Sequence, residues 1–245
     1  MRFAYCIWWF ALIAVCSYLL GSVNFSIIFS KLKNKDIRLQ GSGNPGTLNM
    51  SRTFGMKVGV LILALDIVKG FTPTLIARLV FGDAVFVSAD FKVFYLSEYI
   101  AGFFVVLGHI FPVYYTFKGG KGIATTIGVF LASERWYIAL IFGVVAIAFI
   151  LITRIGSMGS FLATTPPAIF ECVNLYYDVN IKAHHDGYTL AYFIGTNMFI
   201  FGIVFLTWFA HRKNIERLMA GEEHPTDWLQ MIKDRKLKKN EEDKR

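Results

Sequence analysis

Four short segments of the chain combine glycine with hydroxyl, amide and basic side chains. They are GSGNPGTLNMSR at 41–52, FKGGKGIAT at 117–125, TRIGSMGS at 153–160 and HRKNIERLMAGEE at 211–223. Glycine allows the backbone to approach an anion closely, while Lys and Arg side chains supply charge and hydrogen-bond donors. Together the four segments predict a site that binds an anionic ligand such as a phosphate.

The second segment places Lys121 between glycines, as a phosphate-binding loop would. A nucleotide-hydrolysing loop requires the pattern G-x-x-x-x-G-K-[ST] between a strand and a helix, and here Gly122 follows the lysine. The pattern therefore argues against nucleotide hydrolysis but is consistent with a phosphate site at the start of a helix. The alternative for this segment alone is a basic turn whose lysines extend toward the membrane surface.

Two other segments also have simpler interpretations when each is considered alone. The Gly, Pro and Asn cluster at 41–49 is typical of a turn. His211 and Asn214 are three residues apart and would share one face of a helix, yet a single histidine at a helix boundary is more often structural. The occurrence of all four segments in one chain favours the binding site.

The composition indicates whether these segments belong to a soluble protein or to a membrane protein. Of the 245 residues, 55% are hydrophobic and 16% are aromatic, and the mean hydropathy is +0.51. Such a chain is too apolar for a soluble domain and is long enough for several membrane spans. We therefore interpret the formal charge of +8 as loop charge beside a membrane, and not as a surface for nucleic acid.

Charge-poor runs predict an all-α integral membrane protein with a bundle of seven transmembrane helices. The runs cover residues 3–30, 58–81, 99–117, 122–132, 135–153, 155–170 and 188–210. The fourth run would form only roughly 18 Å of helix, which is short for a hydrocarbon core of about 30 Å. We expect a single membrane domain over 1–228, followed by a charged cytoplasmic tail over 229–245.

Loop charges predict the orientation of the bundle. The first loop is strongly basic. It has one acidic residue, Asp36, and six basic residues, Lys31, Lys33, Lys35, Arg38, Arg52 and Lys57. The second loop is acidic, with Asp83, Asp90 and Glu98 against Lys92. By the positive-inside rule the first loop is cytoplasmic, which places the N-terminus outside, the C-terminus inside and all four polar segments on the cytoplasmic face.

The motifs resemble one family, the bacterial acyl-phosphate-dependent glycerol-3-phosphate acyltransferases of the membrane. The resemblance includes the four segments together with YLLGSVNFS at 18–26, LDIVKGF at 65–71 and GHIFPVYYTF at 108–117, and covers nearly the whole chain. It implies transfer of a fatty acyl group from acyl phosphate to the 1-hydroxyl of glycerol 3-phosphate. The products are lysophosphatidic acid and phosphate, in the first step of phospholipid synthesis at the bacterial cell membrane. The resemblance implies no cofactor, and it implies functional coupling to the enzyme that makes acyl phosphate.

The resemblance also implies roles for individual residues. The implied catalytic residues are His211, Asn214 and Lys121. The phosphate of acyl phosphate is implied to contact Ser42, Asn44, Thr47, Asn49 and Lys121, with the glycines Gly119, Gly120 and Gly122. Glycerol 3-phosphate is implied to contact Arg52, Ser157, His211 and Asn214. Glu223 is implied to be a structural anchor, and no metal site is expected.

The chain departs from the family pattern at two places. The usual Gly-Ala-Thr-Asn is replaced by Gly-Thr-Leu-Asn at 46–49, which moves the hydroxyl to Thr47. The usual Val-Ser-Leu-Ala-Ser is replaced by Gly-Ser-Met-Gly-Ser at 156–160, which keeps both serines. Within the second span, Asp66 and Lys69 are expected to pair with each other in a structural network, since isolated charges are unfavourable in a membrane.

Other classes of function remain as alternatives. A transporter of phosphate or phospho-compounds would also combine glycine-broken segments with basic residues, although such sites usually lie between repeated halves and the chain has no evident internal repeat. A non-catalytic membrane scaffold would account for the spans but gives the four polar segments no role. His184 and His185 are expected to lie in a solvated outer loop and not to bind a metal.

Overall fold

The computed structural model describes residues 3–82, 94–178, 188–223 and 225–226, and these residues form helices and loops without any strand. The helices are α1 Phe3–Ser22, α2 Phe25–Leu32, α3 Thr47–Phe54, α4 Met56–Gly82, α5 Phe94–Ile110, α6 Ile123–Leu131, α7 Trp136–Thr153, α8 Gly156–Tyr177, α9 Tyr188–Ala210 and α10 Arg212–Met219. The all-α prediction is confirmed for this part of the chain. The tail at 229–245 and five residues predicted to lie in outer loops, Asp83, Asp90, Lys92, His184 and His185, lie outside the described residues.

Within the described ranges, five segments are long and apolar enough to cross a membrane. They are Ile7–Leu32, Met56–Phe81, Tyr95–Tyr115, Trp136–Thr153 and Tyr192–Ala210. The two other predicted spans correspond to α6 and α8. Helix α6 has 9 residues, roughly 14 Å at 1.5 Å per residue, whereas α8 has 22 residues but includes Pro166 and Pro167.

The first apolar run is not one continuous helix, because α1 ends at Ser22 and α2 begins at Phe25. Asn24 caps the new helix, and its Oδ1 accepts a hydrogen bond of 3.0 Å from the backbone N–H of Ile27. The break leaves the carbonyl of Val23 free to accept a hydrogen bond from a side chain.

Close contacts between helices depend on glycine. Gly21 of α1 lies against the backbone of Val105 in α5, and Gly70 of α4 lies against the backbone of α6 at Thr125. A β-carbon at either glycine would overlap the facing carbonyl oxygen. Small residues stabilise membrane helix pairs in this way, because van der Waals packing replaces the hydrophobic driving force. These pairs hold α5 and α6 in position at the centre of the bundle.

A buried ionic network lies beneath the loop that contains Lys121. The ammonium of Lys69 lies 3.1 Å from Asp66 Oδ1 and donates to the Val23 carbonyl at 2.8 Å. It also lies 2.9 Å from Nδ1 of His109, which must accept this hydrogen bond and therefore carries its proton on Nε2. The network joins the break between α1 and α2 to the end of α5.

The opposite end of the bundle carries a second cluster of charged residues. Arg135 pairs with Asp178 at 2.8 Å, and Glu171 accepts a hydrogen bond of 2.9 Å from Ser133. The prediction that Glu98 is a loop charge is wrong. Helix α5 begins at Phe94, before Glu98, whose side chain is fully buried among the helices.

Candidate active site

The four polar segments meet at one end of the bundle. Lys121, at the start of α6, bonds Asn214 in α10, and the backbone N–H of Thr226 donates to the carbonyl of Arg154 at 2.7 Å. Leu48 of α3 reaches the first residue of α8, since its Cδ1 would lie 3.8 Å from a β-carbon built on Gly156. Helices distant in sequence thus bring together the residues expected at the site.

Lys121 is a half-buried cation at the site. It follows a tight loop and precedes Gly122, whose φ of +81° favours glycine. The pKa of Lys121 is lowered to about 8, first by burial and then by the charges of Arg217 and Arg52, while the carboxylate of Glu223 acts in the opposite direction. The ammonium is therefore held where a negatively charged ligand would stabilise it.

The glycines before Lys121 serve packing more directly than ligand binding. The N–H of Gly119 donates to the Ile110 carbonyl at 3.1 Å, and the N–H of Gly120 donates to the His109 carbonyl at 3.2 Å. A β-carbon on Gly120 would overlap the His109 ring. Because both N–H groups are already bonded, the free donors for an anion are those in the first turn of α6.

Asn49 organises the first segment. Its Nδ2 donates to the carbonyls of Ile37 and Gln40 at 3.3 and 2.9 Å, while its Oδ1 accepts from the N–H of Ser42 at 3.2 Å. Asn49 is only 1% exposed, and both of its amide protons are used. Its contacts favour a role in holding the loop, because the remaining acceptor capacity of Oδ1 does not suit a phosphate oxygen.

The other side chains expected at the site from this segment are available to bind a ligand. Within the described residues, no side-chain hydrogen bond occupies Ser42, Asn44, Thr47 or Arg52. Leu48 faces the start of α8, and Thr47 is the preceding residue of α3. Successive helical residues point about 100° apart, so the hydroxyl of Thr47 does not occupy the place of a hydroxyl at position 48.

His211 is buried where α9 ends, with 2% of its surface exposed. Its Nδ1 donates to the carbonyl of Thr207 at 2.8 Å, which leaves Nε2 as the acceptor of a neutral ring. The pKa of His211 is lowered to about 4, first by burial and then by the nearby charge of Lys121. The ring is therefore neutral at physiological pH and can accept a hydrogen bond from a hydroxyl.

Asn214 links Lys121 to Glu223. Its Oδ1 accepts from the ammonium of Lys121, and its Nδ2 donates to Oε1 of Glu223 at 3.4 Å. Ser157, in the first turn of α8, is 3% exposed, and its hydroxyl has no hydrogen-bond partner among the described residues. The amide of Asn214 is oriented on both sides, whereas the Ser157 hydroxyl is available to a ligand.

Sequence reasoning missed two features near these residues. Arg217 lies three residues after Asn214 and acts electrostatically on Lys121, and this spacing was the signal that could have revealed it. A cleft of about 370 Å³ lies between the loops at 36–45 and 116–119 and is lined in part by Arg38 and Lys118. In the part of the chain that the structure describes, no three His, Cys, Asp or Glu side chains are arranged to hold a metal ion.

Comparison with known proteins identifies the family. A family model described as Glycerol-3-phosphate acyltransferase matches residues 11–221. This chain belongs to the glycerol-3-phosphate acyltransferase family. Among relatives in this acyltransferase family, the chain is 40% identical over 216 residues to the glycerol-3-phosphate acyltransferase of Halalkalibacterium halodurans, which covers 87% of this chain and 93% of the relative. It is 38% identical over 212 residues to that of Aquifex aeolicus, covering 86% and 96%.

Solved structures of an acyltransferase of this family share the fold. The chain resembles the crystal structure of PlsY, an integral membrane glycerol 3-phosphate acyltransferase, in its glycerol 3-phosphate form. The identity is 34%, the TM-score is 0.74, and the match covers 91% of this chain and 98% of PlsY. The lysophosphatidic acid form of PlsY matches with 33% identity and a TM-score of 0.72. The predictions of the family and of an integral membrane enzyme are confirmed.

Proposed function

We propose that this protein transfers a fatty acyl group from acyl phosphate to the 1-hydroxyl of glycerol 3-phosphate. The contact between Lys121 and Asn214 carries this proposal, because it joins the cationic start of α6 to the helix that begins after His211. The similarity to PlsY in its glycerol 3-phosphate and lysophosphatidic acid forms supports the same substrate and product. Acyl phosphate as the donor is supported by the resemblance of the sequence motifs.

The chemistry requires mainly positioning and charge. The 1-hydroxyl oxygen attacks the acyl carbonyl carbon, the bond from that carbon to the phosphate oxygen breaks, and phosphate leaves with the electron pair. Acyl phosphate is an activated anhydride, so alignment and electrostatic stabilisation supply the acceleration without a covalent enzyme intermediate. Lys121 stabilises the negative charge that develops on the leaving phosphate.

The hydroxyl proton has two possible acceptors, Nε2 of His211 and the phosphate of glycerol 3-phosphate. The pKa of His211 is lowered to about 4. A phosphate monoester has a second pKa of about 6, so its dianion is a stronger base than the His211 ring. We therefore assign the proton to the substrate phosphate and give His211 the task of orienting the hydroxyl.

The two substrates divide the site between them. Ser42, Asn44 and Lys121, with the first turn of α6, bind the phosphate of acyl phosphate. Glycerol 3-phosphate is held by Arg52, Ser157, His211 and Asn214. The available Ser157 hydroxyl and the neutral His211 ring support this assignment, since each leaves one polar atom for a ligand.

The site faces the cytoplasm of a bacterial cell in this proposal. All seven predicted spans cross the membrane, with α6 and α8 completing the bundle, so the N-terminus lies outside. The basic loop after α2 supports this orientation by the positive-inside rule. In a cysteine-free background, Ser42→Cys should resist an impermeant thiol reagent in intact cells, whereas Glu134→Cys, at the opposite end, should react. Labelling of Ser42→Cys from outside would reverse the orientation.

The activity is tested with purified protein in lipid vesicles. Acyl phosphate and glycerol 3-phosphate should yield lysophosphatidic acid and one equivalent of phosphate without coenzyme A or acyl carrier protein. Donor competition with acyl-CoA and acyl carrier protein tests the identity of the donor. Uptake of labelled glycerol 3-phosphate into vesicles without any product would instead establish the alternative, a transporter.

A further inference from the structure

Arg217 is half-buried on α10, beside the proposed site, and its Nε atom is buried. It lies on α10 with Asn214, whereas its helix neighbours Arg212, Lys213 and Glu216 are exposed to solvent. The Nε atom of Arg217 is buried and has no hydrogen-bond partner among the described residues. Helical spacing of three places Arg217 on the side of α10 that carries Asn214.

The absence of a partner within the described protein is physically significant. A buried N–H group without a hydrogen bond destabilises a protein, and more so when the group is charged. Glu223 Oε2 is also buried and also lacks a hydrogen-bond partner in the described chain. No bond therefore joins Arg217 Nε to Glu223 Oε2, although it would satisfy both atoms, and the buried Nε–H is available to another anion.

The local charges indicate which kind of anion fits. The charges of Arg217 and Arg52 each act on Lys121, and the carboxylate of Glu223 acts on it in the opposite direction. Three cationic groups facing one carboxylate leave an excess of positive charge. A phosphate dianion would neutralise this excess and accept the planar, two-pronged hydrogen bonds that a guanidinium donates.

We propose that Arg217 binds the phosphate of glycerol 3-phosphate, next to Asn214, as a further substrate-binding residue. This inference rests on the proposed function, which already places His211 and Asn214 at that substrate. Arg217 is a binding residue and takes no proton. We assign Arg217 to the phosphate of glycerol 3-phosphate and not to that of acyl phosphate, because its side chain comes from α10 and not from the loop before α6.

Three variants separate this role from a structural one. Arg217→Gln removes the charge and Arg217→Lys keeps it without the planar fork. Arg212→Gln is the matched control, since Arg212 is exposed on the same helix, stacks on Phe209 at 4.6 Å and bonds the Phe209 carbonyl. Steady-state kinetics with each substrate varied, and calorimetric titration with glycerol 3-phosphate without acyl donor, provide two independent measurements.

We expect Arg217→Gln to raise the KM for glycerol 3-phosphate roughly tenfold to a hundredfold, as for loss of a charge-assisted hydrogen bond. The KM for acyl phosphate should change less than about threefold, Arg217→Lys should be intermediate, and Arg212→Gln should match the wild type. The affinity for glycerol 3-phosphate in the titration should fall in the same order.

Two kinds of result overturn the proposal. One is an unchanged affinity for glycerol 3-phosphate in Arg217→Gln, or an equal rise of both KM values. The other is failure of both Arg217→Gln and Arg217→Lys to fold, which would show a structural role. A wild-type protein that forms no lysophosphatidic acid would refute the proposed function instead, and the titration would still decide whether Arg217 binds this phosphate.

Discussion

Lys121 donates a hydrogen bond to Asn214, a residue 93 positions further along the chain. Asn214 in turn donates to Glu223 at 3.4 Å. The cation at the start of α6 is therefore oriented by an amide on α10, and that amide is oriented by a carboxylate. The charge of Lys121 and the position of Asn214 are coupled, and several kinetic consequences follow from this coupling.

The activity should depend on the charge of Lys121. Its pKa is lowered to about 8, so the ammonium is charged below that pH and neutral above it. Because kcat/KM reports the ionisation of the free enzyme, kcat/KM for acyl phosphate should fall as the pH rises through about 8. An unperturbed lysine would give this decline near pH 10.4. The measurement is a pH profile of kcat/KM between 5 and 10.

Lys121→Arg is the control for this assignment. Arginine stays charged throughout this range, so the decline near pH 8 should disappear even if the rate at pH 7 is lower. Persistence of the decline in Lys121→Arg would assign it to another group.

Glu223→Gln should move the same limb of the profile. The carboxylate raises the pKa of Lys121 against the effect of burial, and removal of its charge lowers that pKa further. The decline in kcat/KM should therefore begin at a lower pH than in the wild type, while the glutamine oxygen can still accept from Asn214. Glu222→Gln is the matched control, because Glu222 is exposed. If the variant folds and the decline in kcat/KM stays at the same pH, the charge of Glu223 does not control the pKa of Lys121.

Gly120→Ala should disrupt the loop before α6. The added β-carbon would overlap the His109 ring, which is held by Lys69, so neither partner can move easily. We expect kcat/KM to fall at least about tenfold. We also expect a lower unfolding temperature, because overpacking usually lowers the free energy of unfolding by about 1–3 kcal/mol. Gly143→Ala is the control, because a β-carbon there meets no atom within 4 Å. Full activity in Gly120→Ala would show that activity does not depend on the close contact between Gly120 and His109.

Asn49 and Asn44 should respond differently to substitution by alanine. Asn49 makes three hydrogen bonds that hold the first loop, so Asn49→Ala should lower the free energy of unfolding by about 1–3 kcal/mol. The Asn44 side chain has no such bonds among the described residues, so Asn44→Ala should keep its stability and raise the KM for acyl phosphate. Thermal unfolding and initial rates distinguish the two effects. Equal losses of stability would show that Asn44 is also structural.

The segments proposed for the site could be picked out from the sequence because their residue types are local signals. The glycine-rich and basic segments, the apolar runs and the i, i+3 pair of Asp66 and Lys69 are each visible within a few positions. The burial of Glu98 was not predictable, since loop charge and buried helix charge look alike until the start of α5 is known. The break at Asn24 was hidden within one apolar run.

The sequence by itself determined the helical class, the membrane as solvent, the family and the four polar segments proposed to form the site. Hydropathy and motif spacing depend on neighbouring residues, so they need no knowledge of packing. Only the tertiary structure decided which atoms those residues have left for a ligand. The N–H of Gly120 bonds the His109 carbonyl, the Asn49 side chain bonds its own loop, and Lys121 bonds Asn214. These partners lie from a few to nearly a hundred positions apart, and only the packing of the helices brings them together.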